Sequence, residues 1–493
     1  MEICFIQKTL KPGLFSARLY FLGGAKIKEV DIVLLSKKIK PYFKMRASSL
    51  AIFLLIFTLS AVVNPNMAMA NSQTGLPDQI MLSWTDDPVT TQTIVWRSSA
   101  DTKSEWVQYL SAADYNDSFI GALEVAAVKT ELYAGYSHCE GILSELSPDS
   151  EYIYRVGREG AWSEPASFTT GISDDKFSFV YMGDVQKGYE NWGEMLQHIV
   201  AENPSLKFGL LGGDLVDDGY NTDEWELFFN AASPVFNKIP LMPAVGNHDD
   251  TPIFWKFFAL PENGPEGFKE EFYSFDYGNC HIAVLNSNKM GAAKPYYDKL
   301  KCWLQQDIEN SSQQWKLLMF HYPPYPVVDD GHSYNFQESW VPLFEQCGVD
   351  IVFVGHQHVY MRTKPLRNGQ VQADGEGIVY VIGNSGSKFY PGGDNHDYIA
   401  HQETNISSYQ IVTINGNTFT LIARNADGQE TDSYTLSKPS PYNSQHNKIT
   451  PLWDAYNSEN IYSGASVMTI NDIIFRMKYF CDTIKAYAVN NLN

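Results

Sequence analysis

The sequence predicts an α+β/α/β chain in which an amino-terminal all-β sandwich is followed by a four-layer α/β/β/α domain. Between residues 76 and 171, short alternating apolar runs are separated by polar turns about every ten residues. Beyond Ser173, strand-like runs alternate with helical patterns. Several of these runs stop at Gly, His or Asp, which places polar donors where ligands bind to open α/β sheets.

Composition places the chain among globular proteins and limits its partners. The 493 residues are 44% hydrophobic and 14% aromatic, enough for two or three domains. The formal net charge of -21 argues against a nucleic acid as a structural partner, because a phosphate backbone is bound by clustered Lys and Arg.

The amino-terminal 70 residues do not fit either domain. Residues 1–44 are basic and carry no clear periodicity, so we interpret them as a non-native or mis-started extension. Residues 45–70 combine a charged start, a short apolar region and a small-residue site before Asn71, the pattern of a secretory signal peptide. We expect secretion to the extracellular space or periplasm with no stable membrane span, the alternative being an uncleaved anchor.

Cysteine usage predicts neither a disulfide framework nor a cysteine metal site. The six cysteines are sparse and none occurs as CxxC. Signal cleavage would remove Cys4 and leave an odd number, which cannot all pair internally. The one bridge considered is Cys302 with Cys347.

The first predicted domain, residues 76–171, contains no cluster of ligand types. Its strands are predicted in the runs IMLSW, TIVWR, VQYL, YIYRV and SFTT. His138 is its only histidine, and a lone His is most often structural.

The second predicted domain, residues 174–438, alternates strands and helices. A capping box of Asp223 and Glu226 is expected before the helix WELFFNAA. Late strands from Gly377 to Ile382, Tyr409 to Ile414 and Phe419 to Ala423 are expected to be antiparallel. The whole predicts two mixed sheets flanked by helices.

Asp214 follows the apolar run in FGLLGGDLVDDG, which predicts a buried strand and a turn. Alone, an Asp in that place is most often a turn residue. Four other apolar runs also end at an oxygen or imidazole donor. These donors are Asp184 in FSFVYMGDVQ, Asn247 and His248 in LMPAVGNHDD, His321 in WKLLMFHYPPY, and His356 and His358 in DIVFVGHQHVY. Carboxylates, imidazoles and an amide oxygen together indicate a two-metal site.

These motifs give the chain a family resemblance. The order and spacing of Asp184, GGDLVDDG, GNHDD, MFHYPP and GHQHVYMR resemble the calcineurin-like metallophosphoesterase motifs. YSFDYGNCHIAVLNS resembles the matching stretch of purple acid phosphatases. LSWTDDP, VWRSS, LSPDSEYIYRVG and WSEPASFTT resemble their fibronectin type III-like amino-terminal domain.

The resemblance implies roles for the site residues. Asp214 would bridge two metal ions, with Asp184 and His358 on one and Asn247, His321 and His356 on the other. Fe, Zn or Mn would suit these ligands, so the identity of the metals stays open. His248 would contact the phosphate or protonate the leaving group. His332 lies about one residue from a further substrate-facing histidine of the family.

Two positions depart from the family pattern. Purple acid phosphatases carry a Tyr where this chain has Asp217, and many metallophosphoesterases have DxH where this chain has Asp184, Val185 and Gln186. Asp217 is either a hard ligand of the first metal or a hydrogen-bond partner of His248, and we favour the second. Gln186 is then the weakest member of the metal site.

Two classes of function follow. The first is a secreted enzyme that hydrolyses phosphate monoesters by attack of a metal-bound hydroxide, with a phosphodiesterase or nucleotidase as alternative. The second is a non-catalytic binding or adhesion protein. We favour the enzyme, because competent donors occupy the ligand positions. The loops at 251–266 and 327–337 lack a basic cluster for additional phosphates, so a small phosphate ester is the expected partner.

Residues 439–493 form a polar carboxy-terminal extension of undecided role. The spacing of apolar residues between Ile470 and Cys481 fits one helix face. That helix would either dock a partner or pack on its own domain.

Overall fold

A computed structural model describes residues 75–439, except positions 134, 173, 292, 293, 330, 394 and 395, together with three strands near the amino terminus. The predicted signal peptide at 45–70 and the predicted helix between Ile470 and Cys481 lie outside the described residues. Within the part described, no helix is long and apolar enough to cross a membrane. The amino-terminal unit, by itself, is an antiparallel sheet of Ile3–Lys11 (β1), Leu14–Gly23 (β2) and Lys26–Leu35 (β3).

The first described domain is the β-sandwich that the sequence predicts. One sheet has the order β4-β5-β9-β8 and the other β11-β10-β6-β7, with β12 added on β10. Buried side chains such as Trp96 and Tyr154 fill the space between the sheets. The strands are Asp78–Ser83 (β4), Gln92–Ser99 (β5), Trp106–Ser111 (β6), Leu123–Ala126 (β7), Val128–Tyr133 (β8), Tyr136–Leu143 (β9), Glu151–Arg158 (β10), Ala161–Trp162 (β11) and Ala166–Thr169 (β12).

The second domain contains two mixed sheets, with the orders β15-β14-β13-β25-β26-β27 and β16-β17-β18-β19-β23-β20-β24, and a small β21-β22 hairpin. Strands β13 to β15 are parallel, as are β17, β18, β19 and β23. The strands are Lys176–Met182 (β13), Leu206–Leu211 (β14), Leu241–Pro243 (β15), Phe272–Tyr277 (β16), Cys280–Leu285 (β17), Trp315–Met319 (β18), Ile351–Val354 (β19), Tyr360–Thr363 (β20), Leu366–Arg367 (β21), Gln370–Val371 (β22), Val379–Ile382 (β23), Ile399–Glu403 (β24), Ser408–Asn415 (β25), Thr418–Asn425 (β26) and Glu430–Ser437 (β27).

Helices cover the outer faces of the two sheets. The helices are Tyr189–Glu202 (α1), Thr222–Phe236 (α2), Tyr296–Asn310 (α3), Ser333–Ser339 (α4) and Val341–Gln346 (α5). Alternate residues of β19 face different cores: Phe353 packs between the sheets, 4.5 Å from the Tyr181 ring, whereas Val352 packs with α3 residues such as Leu304. This two-sided burial gives the predicted arrangement of helices outside two stacked sheets.

Two local predictions, the capping box of α2 and one cysteine bridge, are wrong, and the predicted antiparallel pairing of β23 holds on one side only. β23 runs parallel to β19 and antiparallel to β20, because it completes the parallel centre of the second sheet. The cap of α2 is Asn221, which accepts from the Asp223 N–H and donates to Glu224. Glu226 is therefore free to pair with Arg97 of the sandwich.

Cys302 and Cys347 are both free thiols, so the bridge considered from the sequence is wrong. Cys302 lies on α3 and Cys347 directly follows α5. Each is accommodated within the helical layer, and burial raises the pKa of both thiols.

A buried His281 between two carboxylates predicts pH-dependent stability. Its Nδ1 lies 2.7 Å from Asp276 and its Nε2 lies 2.9 Å from Asp307. Burial opposes protonation, but these hydrogen bonds raise the pKa of His281 above its usual value. The stabilisation is therefore fully present below the unfolded pKa of about 6.5 and is lost as pH rises through the raised folded pKa.

We expect His281→Gln to lower the free energy of unfolding by about 1–3 kcal/mol at pH 5.5 and by less at pH 9. Urea unfolding at the two pH values measures the difference. His138→Gln is the contrasting variant: burial lowers the pKa of His138 to about 4, so at pH 5.5 protonation of this residue favours the unfolded chain, and the loss of stability in His138→Gln should be smaller at pH 5.5 than at pH 9. Equal losses for His281→Gln at both pH values would contradict the prediction.

Candidate metal centre

The predicted donors meet at one edge of the two sheets. Asp184 and Asp214 follow β13 and β14, Asn247 follows β15, and His321 and the pair of histidines in GHQH follow β18 and β19. Parallel pairing brings the carboxyl ends of β13 to β15 to one edge of the first sheet and those of β18 and β19 to one edge of the second, and donors from the two edges lie within 4.8 Å of one another. The loops that carry Asp214 and Asn247 pack closely, since a Cβ on Gly246 would lie 2.1 Å from Asp214 Oδ1.

Three of the donors adopt left-handed backbone conformations. The φ angles of Asp214, His356 and His358 are 54°, 73° and 48°. Such conformations are costly for residues other than Gly and are retained at functional sites.

The first ligand group consists of Asp184, Asp214 and His358, all buried, with one ligand atom of each within 4.8 Å of the others. His358 Nδ1 lies 3.2 Å from the Asn384 side-chain oxygen, and its Nε2 lies 3.8 Å from Asp184 Oδ1. Asp184 Oδ1 is buried without a hydrogen-bond partner. A buried carboxylate oxygen of this kind is costly unless a cation satisfies it.

The second ligand group consists of Asp214, His321 and His356, again within 4.8 Å. His321 Nε2 lies 3.2 Å from Asp214 Oδ2. The side-chain oxygen of Asn247 lies 3.1 Å from His321 Nε2 and 3.0 Å from His356 Nδ1. This group is open to solvent through Asn247, which is exposed, and His356, which is half-buried. Asp214 is the member common to both groups.

The electrostatics of the site favour bound cations. Burial, together with the charge of Asp214, raises the pKa of Asp184. Burial also opposes ionisation of Asp214, but His321 beside it holds the pKa of that carboxyl well below its usual range. Burial and the nearby Lys388 lower the pKa of His358 to about 3, so its imidazole is neutral, the form that binds metal.

This donor set fits two divalent ions. Two buried carboxylates, three imidazoles and an amide oxygen converge, one carboxylate is shared, and a buried oxygen has no protein partner. Oxygen and nitrogen donors without cysteine suit Fe, Zn and Mn.

The Asp217 carboxylate lies at ion-pair distance from His248 but does not form the predicted hydrogen bond with it. Its backbone carbonyl lies 2.6 Å from His248 Nδ1, whereas its carboxylate lies 3.8 Å from that atom. The same carboxylate also pairs with two ammonium groups, with Lys187 Nζ 3.1 Å from Oδ2 and Lys388 Nζ 3.6 Å from Oδ1. Asp217 is also absent from both ligand groups identified in the described part of the chain.

The two remaining predicted residues lie beside the ligand groups. Gln186 donates to Asp214 Oδ2 at 2.7 Å and accepts from Lys388 at 2.6 Å. Its amide therefore contacts a ligand of the metal site. His332 stacks on Tyr322 with ring centroids 4.3 Å apart, and its own centroid lies 6.2 Å from that of His356. His332 therefore flanks the second group.

Sequence reasoning missed three residues of the site. The Asp249 carboxylate accepts from the backbone N–H groups of Leu215 and Gly246, both at 2.6 Å, and so ties two ligand loops together. Asn384 and Lys388 follow β23. The signal for Asn384 was present, because VYVIGNSG is a sixth apolar run that ends at a polar donor.

Comparison with known proteins agrees with this geometry. Residues 177–360 match the calcineurin-like phosphoesterase family, and residues 77–170 match the purple acid phosphatase N-terminal domain. The chain is 27% identical over 337 residues to purple acid phosphatase 18 of Arabidopsis thaliana, covering 64% of this chain and 72% of that protein. It is 26% identical over 283 residues to an uncharacterised protein of Mycobacterium tuberculosis, covering 49% of this chain and 53% of that protein.

A solved structure extends the likeness to the whole fold. Purple acid phosphatase PPD1 from yellow lupin (Lupinus luteus) seeds matches with a TM-score of 0.61 and 17% sequence identity, over 93% of this chain and 83% of that chain. At that identity the likeness shows the fold alone. The two family matches place a calcineurin-like phosphoesterase domain at residues 177–360 behind a purple acid phosphatase N-terminal domain at residues 77–170, and the relatives that carry these domains indicate a hydrolase.

Proposed function

We propose that this protein is a secreted phosphoesterase that hydrolyses phosphate monoesters at a dinuclear metal centre. The observation that carries the proposal is the position of Asp214 in two ligand groups at once. A carboxylate shared between two sets of oxygen and imidazole donors would hold two ions close together, as two-metal hydrolysis requires.

The ligands can be assigned to two metal ions. Asp184 and His358 would hold one ion and Asn247, His321 and His356 the other, with Asp214 between them. When bound, the two ions supply Lewis acidity toward the phosphate and activate water near neutral pH. Since the second group is open to solvent, the ester would approach from its side.

His248 is positioned to act on the leaving group. Its backbone N–H donates to Asp214 Oδ1 at 2.9 Å, which ties it to the metal site. Its Nδ1 is engaged with the Asp217 carbonyl at 2.6 Å, so Nε2 is the nitrogen available to the substrate. Because a carbonyl only accepts, Nδ1 carries a proton, and the imidazolium form would donate its Nε2 proton to the departing alkoxide or phenoxide oxygen, leaving a neutral ring protonated at Nδ1.

A substrate panel tests the proposed reaction. We expect the metal-loaded protein to hydrolyse mono-nitrophenyl phosphate faster than bis-nitrophenyl phosphate. Faster cleavage of the diester would favour a phosphodiesterase. Absence of turnover with either ester in protein that retains its metals would contradict the proposed function.

Secretion rests on the signal pattern at 45–70. Expression of the full chain in its native host should give a mature protein that begins near Asn71 and is recovered outside the cytoplasm. Sequencing of the amino terminus measures this directly, and an intact start at Met45 in a membrane fraction would support the uncleaved anchor.

We predict that the iron-loaded enzyme is not purple. In purple acid phosphatases the colour comes from a Tyr phenolate bound to ferric iron, and Asp217 occupies that position here. Protein loaded aerobically with iron should therefore show no phenolate-to-iron absorption band. A band in that region would contradict the prediction and would point to Tyr390, whose ring lies 4.5 Å from that of His358, as another source of phenolate.

A further inference from the structure

The loop after β23 places a lysine at the metal centre. Asn384 at its start forms a parallel bridge with Asp184, and the backbone N–H groups of Ser385 and Gly386 donate to the Asp184 carbonyl at 3.0 and 2.7 Å. A Cβ on Gly386 would lie 2.2 Å from the Val185 carbonyl. The loop is thus held against the segment that follows β13, and this contact fixes the position of Lys388.

The Lys388 ammonium lies beside the first ligand group. Its Nζ donates to Gln186 Oε1 at 2.6 Å, and the same Gln186 side chain donates to Asp214 at 2.7 Å. The Asp217 carboxylate is 3.6 Å from Nζ, which is an ion pair but too long for a hydrogen bond. An ammonium has three N–H donors, so Lys388 retains donors for an anion.

Lys388 differs from its neighbour Lys187 in burial. The Lys388 side chain is 23% exposed, whereas that of Lys187 is 59% exposed and pairs with Asp217 Oδ2. An exposed ion pair is weakened by solvent. Of these two cations, Lys388 is therefore the one that can interact strongly with a phosphate at the metal centre.

We propose that Lys388 binds a non-bridging oxygen of the substrate phosphate and favours phosphate monoesters over diesters. This inference rests on the proposed function. A monoester carries close to two negative charges near neutral pH, whereas a diester carries one. A fixed cation beside the metal ions therefore stabilises the bound monoester more.

The test compares variants of the metal-loaded full chain. Lys388→Met should weaken the binding of inorganic phosphate, measured by calorimetry, by about tenfold or more. It should raise the KM of mono-nitrophenyl phosphate similarly and that of the bis-nitrophenyl ester less. Lys187→Met is the matched control and should change phosphate binding by less than about threefold.

A double variant separates phosphate binding from neutralisation of Asp217. If Lys388 binds phosphate, the loss of affinity persists in Asp217→Asn/Lys388→Met. Restoration of wild-type phosphate affinity in this double variant would overturn the proposal, because Lys388 would then serve only Asp217. Loss of a metal in Lys388→Met would also overturn it, by assigning the lysine to the metal site.

Failure of the proposed function gives a different result. A wild-type protein that hydrolyses neither ester would refute phosphoesterase activity, yet calorimetry with inorganic phosphate would still test Lys388. Unchanged phosphate affinity in folded, metal-loaded Lys388→Met would refute the role of Lys388 while leaving the hydrolase intact.

Discussion

Replacing Asp214 with Asn is expected to abolish both metal binding and turnover. Asp214 is the shared member of the two ligand groups, so the neutral amide removes one ligand charge from each ion. The substitution keeps the size of the side chain and an oxygen that can accept from His248, so the change is mainly electrostatic. We expect turnover to fall by at least about a thousandfold, equivalent to about 4 kcal/mol in the barrier.

Asp218→Asn provides the matched control for this change. Asp218 lies in the same loop but is exposed and accepts only the Tyr220 N–H at 3.0 Å among its described side-chain bonds. It should retain the metals and wild-type turnover. Full metal occupancy and normal turnover in Asp214→Asn would show that this carboxylate does not bridge the ions.

Replacing His248 with Ala should lower turnover by about a hundredfold to ten-thousandfold without loss of metal. His248 is outside both ligand groups and its side chain is 31% exposed, so its removal leaves the ligands in place. If His248 protonates the leaving oxygen, the defect should be greater for an alkyl phosphate than for nitrophenyl phosphate, which has the better leaving group.

Asp250→Asn is the control, because Asp250 pairs with Lys289 at 3.0 Å and is two residues along the same loop. Its turnover with both esters should remain near wild type. Wild-type turnover in His248→Ala with both metals present would rule out the assigned role. An equal defect for both esters would favour contact with the phosphate over proton transfer.

The ligand loops were predictable because their signals are local. Each ligand follows an apolar run that ends in Gly, Asp, Asn or His, and parallel strands bring such ends together. Asp184, Asp214 and His321 therefore could be placed from short stretches of sequence. The β-sandwich was predictable for the same reason, since alternating runs and polar turns are short-range patterns.

The partners of these residues were not predictable, because they come from distant parts of the chain. The sequence around Asp217 suggests a partner for His248, but it does not show that the same carboxylate also pairs with Lys187 and Lys388. Glu226 does not form the predicted capping box and instead pairs with Arg97 of the β-sandwich. Local sequence patterns do not predict such ion pairs, because the two partners are far apart in the sequence.

Metal stoichiometry tests the two-metal centre most directly. Protein expressed with sufficient Fe, Zn and Mn and passed through a desalting column should contain about two metal ions per chain by elemental analysis, and Asp214→Asn should lose them. Less than one metal ion per chain in the wild-type protein would contradict the dinuclear centre.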